Sequence, residues 1–177
     1  MLYTGKGDTG TTTAFNCDQQ RISKSSELPE ALGALDELNA FLGLVKVRSE
    51  GNTRIANIIR DAQEILFIVQ AEIAGADKQV ASGVVSDIEA IVDGIEKEIP
   101  PITGFSLSGG TELSALLDVA RTLARRAERR LVAVADVQVR PLSIETMAYM
   151  NRLSSLLFAL ARLANHQAGI KEVSPHY

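Results

Sequence analysis

A chain of 177 residues is expected to form one domain, at about 150 residues per domain. With 46% hydrophobic and 23% charged residues it is neither a disordered chain nor a coiled-coil rod. Its longest apolar run, Leu156 to Ala161, falls far short of the roughly 18 residues of a membrane helix, and a net charge of −4 disfavours a nucleic-acid partner.

The first 28 residues are rich in Gly, Thr, Ser and Lys without a helical period, and predict irregular backbone with at most a short strand. They lack the basic, apolar and small-residue segments of a secretory signal. Cys17, as the single cysteine, cannot form an internal disulfide. A reducing cytoplasmic setting is therefore expected. So long an irregular stretch beside a compact domain is usually functional or disordered. The run from Gly5 to Thr13 favours function, because glycines let backbone N–H groups approach phosphate oxygens while Lys6, Thr12 and Thr13 add donors. The spacing is neither a Walker loop nor a dinucleotide fingerprint. Any nucleotide would need a second wall.

Beyond Pro29 the chain reads as helix throughout. Leu32, Leu35, Leu38, Leu42 and Val45 repeat at three and four residues and predict a first helix over residues 29–48. Ile55, Ile59, Ala62, Leu66, Val69 and Ile73 predict a second, ending near Gly75. Ser86 and Glu89 have capping-box spacing at the start of a third helix, which Pro100-Pro101 stops. Gly109-Gly110 ends a loop before a fourth helix over residues 111–135. Pro141 suits the first turn of a fifth, reaching about residue 167 before a polar tail, residues 169–177. The expected fold is all-α: an antiparallel five-helix bundle, residues 29–168, with an irregular N-terminal segment whose composition suits a phosphate and which the resemblance given below makes nucleotide-binding.

The fourth helix carries five arginines within ten positions. At about 100° per residue, Asp118, Arg121, Arg125, Glu128 and Arg129 share one face of about 100°, beside an apolar face of Leu117, Ala120, Ala124, Ala127 and Leu131. Arg126 and Arg130 point elsewhere. A solvated surface laced with pairs such as Arg125 with Glu128 would explain the stripe. So would a polyphosphate site or a subunit interface, which suits guanidinium forks better than lysine. On the fifth helix Asn151, Ser155 and Arg162 fall within about 40° on an otherwise apolar wheel, and predict a polar pocket between helices. With only His166 and His176 among its histidines, the chain lacks the parts of a His/Cys zinc site or a Ser-His-Asp triad.

These residues resemble the ATP:cob(I)alamin adenosyltransferases of the propanediol-utilisation type. Four separated motifs carry the resemblance in order: Tyr3 to Gly10 followed by Lys24; Glu30 to Asn39; Phe105 with Gly109-Gly110; and Arg121 through Arg125-Arg126-Ala127-Glu128-Arg129-Arg130 to Asn151-Arg152-Leu153-Ser154. The resemblance implies transfer of the 5′-deoxyadenosyl group of ATP to cob(I)alamin, with release of triphosphate and Mg²⁺ on the nucleotide. It also implies a homotrimer with sites at subunit boundaries, and as partner a flavin-type reductase or a cobalamin-dependent enzyme. Carried over, the nucleotide contacts are Thr4, Gly5, Lys6, Gly7, Thr12, Thr13, Lys24, Arg125, Arg126, Glu128, Arg129 and Asn151. Asp36 and Arg121 match a pair that bridges subunits, and Phe105 matches an aromatic residue set against the lower corrin face. No protein metal ligand is implied. The chain departs from the pattern at Ser108, where a proline is common, at Ser155, where an acidic residue is common, and at Ser25-Ser26, which replace an acidic pair.

Overall fold

The computed structural model describes residues 2–13, 20–137 and 141–176; Cys17, and with it the disulfide expectation, lies outside them. The leucine period is realised in α1 (Glu27–Arg48), where Leu35, Leu38, Leu42 and Val45 are fully buried on one face. α1 starts two residues before Pro29. The first turn of a helix has no intrahelical partners for its N–H groups, so a proline there costs no bond.

α2 (Thr53–Ala74) is capped by Asn52, whose side chain accepts from Ile55 N, and ends at Gly75 in the left-handed region. α3 (Ser82–Glu98) begins four residues ahead of Ser86, so the capping box is not used. Val84 and Val85 pack against the core from the first turn, which rewards an early start. α4 (Glu112–Asp136) is capped by Thr111. α5 (Ile144–Gln167) is capped by Ser143, and Pro141 lies ahead of it rather than in its first turn.

The antiparallel five-helix bundle is formed as expected. α4 packs along both α5 and α1, α1 also along α2, and α3 along α5, while α2 only touches α5. α5 is the central helix: from Leu156 to Asn165 all residues but Phe158 are buried. Among the described residues no helix is long and apolar enough to cross a membrane.

The N-terminal segment holds more order than its composition suggests. β1 (Thr11–Thr13) and β2 (Arg21–Ser23) form an antiparallel hairpin, with Thr12 opposite Ile22. Ile22 packs on the helical core and seats the hairpin on the bundle.

Candidate active site

The glycine-rich leader is a series of turns clamped by one arginine. Gly5 and Gly10 sit at φ 68° and 76°, where a side chain would be strained. Asp8 N–H donates to Gly5 O, and Gly10 N–H to Gly7 O. Arg21 Nε donates to Thr11 Oγ1 at 2.8 Å, while Arg21 Nη2 donates to Thr11 O and to Lys6 O. Lys24 lies over Gly7 so closely that a Cβ there would be 2.8 Å from its Nζ. Thr4, Gly5, Lys6, Gly7, Thr12, Thr13 and Lys24 thus belong to one exposed unit, and among the described residues neither lysine forms an ion pair. Arg21 was not singled out from sequence. Its partners Thr11 and Lys6 are brought to it by a hairpin that the composition did not reveal.

On α4 the arginines divide. Arg126 is paired with Glu37 of α1, and Arg130 with Glu30 at 3.4 Å. Arg121 Nε donates to Asp118 Oδ1 at 3.2 Å, and its guanidinium carbon stands 5.8 Å from the Phe158 ring centroid. Arg129 Nη1 folds back to Arg125 O, and Arg125 has no ion pair among the described residues. The Arg125–Glu128 pair that a solvated stripe would form is not made among the described residues. Glu128 instead accepts from Asn151 Nδ2 at 2.9 Å, Asn151 Oδ1 accepts from Arg152, and Arg152 reaches Glu89 of α3. Asp36 is exposed on α1 and makes no ion pair with Arg121 within the chain.

Asn151, Ser155 and Arg162 do not gather into one pocket. Eleven residues of helix separate their ends by about 16 Å, and each finds different company. Arg162 is buried, donating to Glu172 Oε1 and to Pro100 O, both at 2.8 Å. Ser155 faces a cleft of about 530 Å³ between the α3–α4 loop, α4 and α5, lined by Ile102, Phe105, Arg121, Arg125 and Phe158. Phe105 is no core residue: it is 79% exposed and also borders a second hollow of about 330 Å³ toward the C-terminal tail.

The loop carrying Phe105 is fastened along its length. Leu107 N–H donates to Val173 O at 2.8 Å, so the segment expected to be a polar tail packs on this loop. Gly109 O accepts from Ser114 Oγ and from Asn165 Nδ2, and Asn165 Oδ1 accepts from Thr111 N. Gly109 N donates to Asp118 Oδ2 at 3.3 Å. Ser108, where a proline was expected, is exposed between these anchors.

Two hairpin lysines and the Arg125 guanidinium, none in an ion pair among the described residues, and an exposed aromatic ring on the same cleft as Arg125 define a class: a helical bundle suited to a polyanion beside a flat apolar group. The chain belongs to the cobalamin adenosyltransferase family, whose model matches residues 2–164. It is 41% identical over 175 residues to the corrinoid adenosyltransferase PduO of Citrobacter freundii and 42% over 189 residues to that of Salmonella typhimurium, matches that cover 94% and 99% of this chain. They cover 50% and 54% of those proteins, so the chain spans about half the length of these two relatives. A variant PduO-type ATP:corrinoid adenosyltransferase from Lactobacillus reuteri, solved with cobalamin and ATP, superposes with a TM-score of 0.90 at 29% identity, covering 100% of both chains.

Proposed function

We propose that this chain transfers the 5′-deoxyadenosyl group of ATP to the cobalt of a reduced corrinoid and releases triphosphate. The observation that carries the reading is the meeting of Phe105 and Arg125 on one cleft, an exposed apolar plate beside a guanidinium that has no ion pair among the described residues. The ligands of the Lactobacillus reuteri structure, cobalamin and ATP, match those two halves in chemistry.

The reaction asks little covalent chemistry of the protein. The cobalt(I) electron pair forms the bond to C5′, and the C5′–O bond breaks with its pair leaving on the triphosphate. No side chain need act as nucleophile or histidine base. Lys6, Lys24, Arg125 and Arg129, with hairpin N–H groups around Gly5 and Gly7, hold the charge that gathers on the leaving group. Holding C5′ in line with the metal supplies much of the remainder. Phe105 covers the lower corrin face and keeps water and an axial donor away, which favours the cobalt(I) state. Thr4, Thr12, Thr13, Glu128 and Asn151 orient the nucleotide. Arg126 joins by leaving Glu37, a cheap exchange because exposed ion pairs are worth about 0–1 kcal/mol.

Mg²⁺ arriving on the triphosphate keeps several waters and needs few protein ligands. Among the described residues no three His, Cys, Asp or Glu side chains gather to hold a cation.

The hairpin makes no hydrogen bond or ion pair to Arg121, Arg125 or Arg129 among the described residues. This supports a homotrimer in which the leader of one subunit closes on the arginine face of the next, with Asp36 and Arg121 meeting across the boundary. Residues 1–177 are read as one domain: leader 1–28, bundle 29–168 and tail 169–177. The setting is cytoplasmic, with a flavin-type reductase or a cobalamin-dependent enzyme as partner.

Incubation with ATP, Mg²⁺ and chemically reduced cobalamin tests the reading. A light-sensitive adenosylated product and free triphosphate are expected in equal amounts. Absence of product above the uncatalysed background would leave a nucleotide-binding bundle without this reaction.

A further inference from the structure

One carboxylate joins the two halves of the cleft. Asp118 Oδ2 accepts from Gly109 N–H at 3.3 Å, and Oδ1 accepts from Arg121 Nε at 3.2 Å. Its side chain is 12% exposed and that of Arg121 27%. Both bonds are therefore partly shielded from water, and a hydrogen bond to a charged group is stronger than a neutral one.

Each end of this bridge leads to the cleft wall. The Gly109 peptide is the fixed base of the loop that carries Phe105, its carbonyl held by Ser114 and Asn165 and its N–H by Asp118 alone among the described residues. Arg121 is turned by the same carboxylate over the Phe158 ring, at 5.8 Å, on the cleft that Phe105 and Arg125 also line. Binding through Nε leaves both Nη groups without a hydrogen bond among the described residues.

We propose that Asp118 is a positioning residue that sets the Phe105 loop and the Arg121 guanidinium in one register, so that the apolar plate and the cationic edge of the cleft stay matched. It touches neither substrate. It acts through Gly109 on one side and Arg121 on the other. The inference rests on the adenosyl-transfer reading and adds to it a residue chosen for geometry rather than contact.

The test is steady-state kinetics of Asp118→Ala and Asp118→Asn with reduced cobalamin and ATP varied separately, alongside thermal unfolding. A cleft wall out of register by about an ångström loses reacting geometry at a cost that can approach a hundredfold. Asp118→Ala is expected to lower kcat/KM for the corrinoid at least about tenfold while KM for ATP stays within about twofold. Asp118→Asn keeps an oxygen for one of the two donors, and its loss should be smaller. In an Arg121→Gln background the Asp118→Ala effect should shrink, because residues that work through one another are not additive. Should Asp118→Ala fail to fold, Asp118→Asn, alone and in the Arg121→Gln background, decides the matter.

Equal losses for both substrates, in proportion to lost folded protein, would make Asp118 a stability residue and overturn the proposal. So would variants whose parameters all stay within about twofold of wild type. A wild-type chain with no turnover would overturn the reaction itself, a different result from an active chain indifferent to Asp118.

Discussion

The side-chain amide of Asn165 occupies the space that a Cβ on Gly110 would need: the added carbon would stand 2.4 Å from Asn165 Oδ1. Gly110 also lies at φ 111°, where a side chain is strained. Asn165 cannot step aside freely, since it is 6% exposed and holds Thr111 N at 3.0 Å and Gly109 O at 2.8 Å. Gly110→Ala should therefore cost about 2–4 kcal/mol, combining a left-handed backbone with lost buried hydrogen bonds. Urea unfolding measures it. Adding Asn165→Ala should cost less than its effect alone, because the collision is relieved; strict additivity would argue that the two residues do not compete for this space.

That pairing also marks where sequence reading stops. Gly109-Gly110 could be placed at the end of a loop because paired glycines punctuate the chain locally, and the five helices followed from leucine and isoleucine periods in the same way. Asn165 is 55 positions beyond Gly110 and looks like any polar residue near a helix end. Asp118 read as one charge in a stripe, although its two oxygens serve different elements. Arg21 acts largely on backbone carbonyls, which carry no residue type for a pattern to catch, and Arg162, although visible as a polar residue on an apolar wheel, finds partners in Pro100 and Glu172 that no local pattern names. Errors at the helix starts have the same origin. Ser86 had cap spacing, yet core contacts of Val84 and Val85 moved the start of α3 earlier; Pro141 fitted a first turn, yet Ser143 and a distant acid set the start of α5.

That acid is Glu72. It is buried at the end of α2 and accepts from Ser143 N at 2.6 Å, from Ser143 Oγ at 3.2 Å and from Thr146 Oγ1. A carboxylate at a helix N-terminus is favoured by the helix dipole as well as by the bonds. Glu72→Ala should destabilise the fold by about 2–4 kcal/mol by orphaning buried donors, and Glu72→Gln by less. Denaturant midpoints decide it, with turnover per folded molecule largely kept. An alanine variant as stable as wild type would show that water serves these donors equally well.

Arg21 makes a different prediction, since it orders the leader rather than the core. Arg21→Ala removes three hydrogen bonds from an exposed hairpin, and bundle stability should stay within about 0.5 kcal/mol of wild type. KM for ATP should rise about tenfold if the leader grips triphosphate, with the corrinoid KM little moved. Isothermal titration with a non-reacting ATP analogue gives an independent reading. Unchanged affinity would remove the leader from the nucleotide site.

Tyr149 ties stability to alkaline pH. Burial raises its phenol above the ordinary value of 10.0, with the nearby Asp61 charge adding to the effect. The folded chain therefore holds the phenolic proton more tightly than the unfolded chain does. Stability from this group is complete below pH about 10 and is lost as pH rises beyond it. Denaturant midpoints followed from pH about 8 to 11 should fall more steeply in wild type than in Tyr149→Phe. Parallel curves would mean that the phenol is more accessible to water than its burial implies.

Under the proposed assembly, Arg125 serves the chemistry while Asp36 and Arg121 serve the subunit boundary, and substitutions tell the two roles apart. Arg125 faces the cleft and has no acid to leave behind among the described residues, so Arg125→Ala should keep both fold and oligomer. Its turnover should fall about a hundredfold if the guanidinium meets charge developing on the leaving group. Asp36 is exposed without an ion pair to Arg121 inside the chain, although both Nη groups of Arg121 are without a hydrogen bond among the described residues. Asp36→Ala and Arg121→Ala should therefore lower turnover and also shift native mass spectra from trimer toward monomer on dilution. A trimer equally firm in both variants would deny the pair a role across the boundary. A monomeric wild type with full turnover would go further, because leader and arginine face would then have to meet within one chain.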